Sequence, residues 1–277
     1  MRDISPPPVI ARTRASLRLA LITAVVLVSA AAIPPQPVTI NVQASPVQPS
    51  WEGIAAGLAY VPSVAVTARG SVPVHVMRVD LNQVALKPLM SPHFSSALRV
   101  EDFASRTPGA LAIFNGSFFD ESDQGREIPK GIVVSEGKVH QNLLRSEPWA
   151  VFFINRQGAH IVSPRTYRHS VNTQFALQGF PRLVEQRRVL RFKPQLSQRT
   201  ALGILGPKTL LVLVTRDGAS LSLQELAQTL RERGCQSALN LDGGSSTQLW
   251  LRKPGSSPLI EHGSNRVPVA IGVFPRR

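Results

Sequence analysis

The stretch Asn240-Leu241-Asp242-Gly243-Gly244-Ser245-Ser246-Thr247 sets one carboxylate beside two glycines and three hydroxyl residues. The residues before it, Ala238 to Leu241, are mostly apolar and read as the end of a buried strand. Asp242 therefore stands at a strand-to-loop junction, where a rigid scaffold can present a side chain to a ligand. Its carboxylate suits a nucleophile or a general base. Gly243 and Gly244 permit a close backbone approach, and successive turn amides can form a concavity for anions. The same residues also suit an ordinary Asp-Gly hairpin turn, so the loop alone does not decide between chemistry and punctuation.

Other segments share its character. Ala112-Ile113-Phe114 leads into Asn115-Gly116-Ser117-Phe118-Phe119-Asp120, followed by Pro129-Lys130-Gly131. Gly179-Phe180-Pro181-Arg182-Leu183 and Arg199-Thr200-Ala201-Leu202-Gly203 lie between these and the Asp242 loop. Taken in this order, the motifs resemble the phosphodiester glycosidase family, whose best-known members remove N-acetylglucosamine from a mannose-phosphate diester. The resemblance extends over residues 70 to 274. Two positions depart from the family pattern: Ser117 stands where it usually has a second glycine after the asparagine, and Ser245 where it usually has a third glycine after the aspartate. Both exchanges are small for small, so they bear on substrate choice more than on the backbone path.

The resemblance implies an exported hydrolase that cleaves a glycosidic bond to a phosphodiester in a sugar phosphate or cell-envelope glycan. Glycosidases commonly use two carboxylates, yet only Asp242 is strongly placed here, with Asp120 and Glu127 the nearest seconds by motif. A phosphate leaving group needs less help from a general acid, so cations and N–H donors carry more of the work. On this reading Asp242 is nucleophile or base, Asn115 orients sugar or phosphate, and Arg199 grips the phosphate through its planar fork. Gly116, Lys130, Gly131, Thr200, Asn240, Gly243, Gly244, Ser245 and Ser246 complete the expected substrate-binding set. Each has a plainer reading: Arg199 as an ion-pair partner, Lys130 as a solvated turn lysine, Asn115 as a turn cap, and Phe118 and Phe119 as packing. The competing class is a non-catalytic envelope module that binds anionic glycans.

No cofactor is required. The six histidines, scattered from His75 to His262, lack zinc-ligand spacing, while a hard cation shared by Asp242 and Asp120 is left open. The lone Cys235 excludes an intramolecular disulfide and reads as a buried thiol. The net charge of +14 is dispersed; without a nucleic-acid-binding motif it points to anionic glycans and general surface charge, not to DNA or RNA.

The elements that must position these residues follow from the rest of the chain. Residues 1–33 carry Arg2, Arg12, Arg14 and Arg18, then a charge-free run from Leu19 to Ile33 that ends in small residues. That is the pattern of a signal peptide or membrane anchor, and it places the domain in the periplasm or outside the cell, touching membrane only if the leader stays. Prolines 34, 35, 37, 46 and 49 mark residues 34–50 as a linker. Residues 51–277 form the domain. Alternating apolar residues and glycine turns predict many antiparallel strands, Phe175 to Leu183 reads as one glycine-interrupted strand, and 120–130 reads as an irregular polar loop. Short helices are predicted over 100–106 and from Ser222, where Ser222 and Glu225 form a capping box, to Gly234. The class is α+β: a mixed, mainly antiparallel sheet with few packed helices. The succession helix, strand, Asn-Gly at 101–116 and helix, strand, Asp-Gly at 222–244 suggests a duplicated unit.

Overall fold

The computed structural model describes residues 50–94 and 96–276. The expected leader and almost all of the proline-rich linker lie outside the described residues. Among these residues, no helix is long and apolar enough to cross a membrane.

The domain is α+β and mostly β. Every strand pairing among the described residues is antiparallel. An eight-stranded sheet runs in the order Glu52–Ala55, Leu58–Thr67, Gly70–Asp80, Thr209–Thr215, Thr200–Gly206, Ser237–Asn240, Arg182–Glu185, Arg188–Val189. A five-stranded sheet follows the order Gly158–Val162, Ala150–Asn155, Phe175–Gly179, Val133–Ser135, Lys138–Gln141. A second five-stranded sheet follows the order Leu259–Glu261, Leu249–Leu251, Ala112–Asn115, Val269–Pro275, Val84–Met90.

All three sheets contribute to one core. Met77, Leu202 and Val212 come from the first, Phe152 and Phe175 from the second, and Phe114, Leu249 and Ile271 from the third. Burying a side chain of this size contributes about 1.5–3 kcal/mol of transfer free energy. Strand alternation then dictates the outer faces. In Thr209–Thr215, Leu210, Val212 and Val214 face the shared core, while Leu211 and Leu213 face a second cluster with Leu226, Ala227 and Leu230. Those last three lie on helix α2, Leu223–Glu232, whose N-terminus carries the expected Ser222–Glu225 capping box. Because α2 covers the far side of that strand, both its faces are buried and it reads as a continuous apolar run. Helix α1, Val100–Arg106, covers Ile113 and Ala270 of the third sheet with Val100 and Phe103.

Two local expectations need correction. Residues 120–130 are not wholly irregular: Phe119–Glu121 and Glu127–Pro129 pair as a small hairpin. The segment from Phe175 to Leu183, read as one interrupted strand, is two strands in two sheets, broken at Phe180-Pro181. The succession that suggested duplication has a counterpart in space. Each helix precedes a strand, Ala112–Asn115 or Ser237–Asn240, and each strand leads into one of the two glycine-containing loops.

Candidate active site

The two loops meet. Asn115 ends its strand fully buried, and its Nδ2 donates to the Asp242 carbonyl at 2.6 Å. Its Oδ1 accepts from Thr200 Oγ1 at 2.6 Å and from the Gln248 amide at 3.1 Å. The Asp242 amide donates to the Gly116 carbonyl at 3.2 Å, and the Gly116 amide to Val269 at 3.0 Å. Asn115, Gly116 and Thr200 thus hold the loop by its backbone. Asn115 and Thr200 have no exposed surface to offer a substrate, so the expectation that they contact sugar or phosphate is replaced by a positioning role. The close approach explains Gly116: a Cβ there would sit 2.8 Å from the Val269 carbonyl oxygen.

The Asp242 carboxyl is half-buried. Its Oδ1 accepts from the Gly243 amide at 2.9 Å. Burial pushes its pKa up to about 6, against hydrogen bonds from the Ser246 side chain and the Gly243 amide that favour the charged form. Among the described residues it forms no ion pair. A carboxyl poised near neutrality at a loop junction can take or give a proton, or attack as a carboxylate.

The loop amides are less available than the sequence suggests. Gly243 N is spent on Asp242, Gly244 N on Gln198 O at 2.8 Å, Ser246 N on Gly243 O and Thr247 N on Gly244 O. The Ser245 amide, on an exposed residue, is the donor these bonds leave over. Gly244 takes a positive φ of 58°, a turn conformation that favours glycine. Gly243 is forced by space, since a Cβ would lie 2.6 Å from Gln198 O.

Arg199 is buried, and its guanidinium donates to Leu221 O at 3.0 Å and Gln195 O at 2.7 Å. It has no carboxylate partner among the described residues, so the ion-pair reading fails, and burial alone pulls its pKa below the ordinary value. The Nε–Nη2 side of its fork is committed to these carbonyls. Leu241 N bonds Thr200 O and Gly244 N bonds Gln198 O, so the Arg199 backbone runs beside the Asp242-Gly243 turn, where the register shifts by one residue. Its side chain leaves the opposite face of the strand from Thr200.

The remaining expected residues are dispersed in role. Lys130 pairs with Asp120 at 2.7 Å at the surface, and the Glu127 carboxylate accepts from the Ala97 amide at 2.7 Å. Gly131 serves packing: a Cβ would fall 2.2 Å from Gln178 Oε1. Asn240 is buried and donates to Phe180 O at 2.6 Å. No group of three or more His, Cys, Asp or Glu side chains among the described residues could hold a metal ion. Cys235 is buried, with its thiol pushed up to about 12 by desolvation. Gln248 was missed by sequence reasoning. It accepts from Val100 N and donates to Asn265 O, fixing the far end of the loop; its signal was a polar residue beside an apolar strand. A cavity of about 1020 Å³ opens elsewhere, beside Leu86, Phe175 and Phe274, and the Asp242 loop does not line it.

The phosphodiester glycosidase family profile matches residues 108–274, which contain both loops and Arg199. The chain belongs to this family. Solved structures share the fold. The zebrafish N-acetylglucosamine-1-phosphodiester alpha-N-acetylglucosaminidase catalytic domain, auto-inhibited by its pro-peptide, is 20% identical with a TM-score of 0.63, over 83% of this chain and 85% of that one. A hypothetical protein from Synechocystis is 18% identical with a TM-score of 0.58, over 82% of this chain; the match spans 64% of that longer protein. A protein of Burkholderia pseudomallei K96243 is 15% identical with a TM-score of 0.50, over 76% of each chain. No curated protein sequence matches significantly.

Proposed function

We propose that this domain hydrolyses the glycosidic bond of a sugar phosphodiester and that Asp242 carries the nucleophilic or base step. The observation that carries the reading is the Asp242 carboxyl, half-buried, raised to about 6 and clamped at its backbone by Asn115, within the region that matches the family. Phosphate is a good leaving group, so a site with one well-placed carboxyl suffices if positive charge and a donor meet the phosphate. Arg199, whose backbone runs beside the Asp242-Gly243 turn, is the cation assigned to the phosphate in this reading, and the Ser245 amide is the donor. The Nη1 side of its fork is the part left for the phosphate, since the other side is spent.

The leader pattern of residues 1–33 supports a further proposal, that the domain is exported and works on an envelope or extracellular glycan. Mass spectrometry of protein from the native host would show a mature chain beginning near Ala32; a retained leader in the membrane fraction would make it an anchor. The decisive test of activity is turnover of a panel of sugar phosphodiesters that differ in sugar and aglycone. Release of free sugar by wild type, but not by folded Asp242→Asn, is expected. Binding of anionic glycans with no turnover of any panel member would make the domain a glycan-binding module instead.

A further inference from the structure

Three aromatic rings from three separate segments meet beside the Asp242 loop. Phe118 packs edge-on against Trp149 and Phe180, with centroids 5.6 and 6.4 Å away. Trp149 and Phe180 lie 5.5 Å apart with their planes inclined by only 35°. Each ring is half-buried, unlike the fully buried Phe114, Phe152 and Phe175 of the core. A core cluster would be covered; this one is open on part of its surface.

The cluster is tied to the loop by two independent links. Phe118 is two residues beyond Gly116, whose carbonyl holds the Asp242 amide. Phe180 exchanges two hydrogen bonds with Asn240, two residues before Asp242: Phe180 N to Asn240 O at 3.0 Å and Asn240 Nδ2 to Phe180 O at 2.6 Å. Trp149 follows from the register of its sheet, because Ala150 pairs with Gly179 and so sets Trp149 opposite Phe180. Each link carries a buried side-chain oxygen without a protein partner, Ser117 Oγ on one and Asn240 Oδ1 on the other.

We propose that Phe118, Trp149 and Phe180 form the wall against which the sugar ring of the substrate lies. A pyranose has the matching chemistry: an apolar C–H face for aromatic carbon and hydroxyls at its rim. The proposal rests on the sugar-phosphodiester reading and names its sugar subsite.

The test uses the full folded domain. Trp149→Ala and Trp149→Phe are compared with wild type for turnover of the best sugar phosphodiester in the panel, and Asp242→Asn for tryptophan fluorescence during titration with sugar 1-phosphates. Loss of ring surface that binds ground and transition states alike raises KM. Trp149→Ala should raise KM at least ~10-fold with kcat within ~3-fold, and Trp149→Phe should restore most of the affinity. The ligand-induced fluorescence change should vanish when Trp149→Phe is added to Asp242→Asn. Folded Trp149→Ala with wild-type KM, or a fluorescence change that survives Trp149→Phe, would overturn the wall while leaving the hydrolase reading intact. Trp149-dependent binding without turnover would uphold the wall and defeat the hydrolase reading; no binding of any sugar phosphate would overturn both.

Discussion

Asn115 Nδ2 lies 2.6 Å from the carbonyl oxygen of Asp242, a residue 127 positions away. The bond joins the end of one sheet's strand to the loop that leaves another. It holds the backbone of Asp242 and does not touch the carboxyl. The same amide also receives Thr200 Oγ1 and Gln248 N, so three segments are registered by one side chain.

Asn115→Ala should therefore damage fold and activity together. It leaves the Asp242 carbonyl, the Thr200 hydroxyl and the Gln248 amide without their partner, each a loss of about 1–3 kcal/mol where no water replaces it. Chemical denaturation should show a fall of roughly 3 kcal/mol or more. A change below about 0.5 kcal/mol would mean that the network is not what holds the loop.

Asp242→Asn separates charge from shape. In a substrate turned over by wild type, kcat should fall by at least ~10³ if the proposed role of Asp242 as nucleophile or base holds, since positioning remains. For the wild type, kcat/KM should rise with pH through about 6, where the carboxyl ionises, and that limb should be missing in the variant. Stability runs the other way. The folded pKa lies above the ordinary 3.8, so between these values the folded state holds more protons than the unfolded one. The carboxyl then costs stability as pH rises from 3.8 to about 6 and keeps that cost above it, up to ~3 kcal/mol at full desolvation. Thermal melts at pH 4 and pH 8 should show Asp242→Asn gaining on wild type at the higher pH.

Gly243→Ala tests the closeness of the loop to its neighbour. The new Cβ would begin 2.6 Å from Gln198 O, a backbone atom that cannot swing away. Overpacking of this kind typically costs about 1–3 kcal/mol. Differential scanning calorimetry should show the loss, and a variant as stable as wild type would indicate a loop free to move.

Arg199 is best read through two variants. Arg199→Lys keeps the charge and loses the carbonyl anchors; Arg199→Met loses both. Both should be destabilised, since Leu221 O and Gln195 O lose a donor. If the charge serves the phosphate, kcat/KM for Arg199→Met should lie at least ~10-fold below that for Arg199→Lys. Equal rates in the two folded variants would reduce Arg199 to an anchor.

Much of the architecture was legible because its signals are local. The Ser222–Glu225 cap, the glycine turns and the alternation in Gly70–Asp80 depend on neighbouring residues. Family motifs likewise marked Asn115, Arg199 and Asp242 as a set. Their individual roles were not legible, because those depend on which atom meets which. Only the three-dimensional arrangement shows Asn115 spent on a backbone carbonyl, or the loop amides spent on Gln198 and Asp242. Trp149 was invisible for the same reason: its partners are 31 residues either side and are brought together by sheet register.

The meeting of two loops from two sheets also gives the protein a built-in reporter of its own assembly. Closing a loop of 127 residues carries an entropy cost that only docking of the sheets repays, and pairings of such long separation are slow to form. Catalytic competence should thus be among the last properties regained on refolding, after strand content is already native by circular dichroism. A partly unfolded chain that keeps its hairpins would lack the site, which would confine the proposed hydrolysis to molecules that have finished folding.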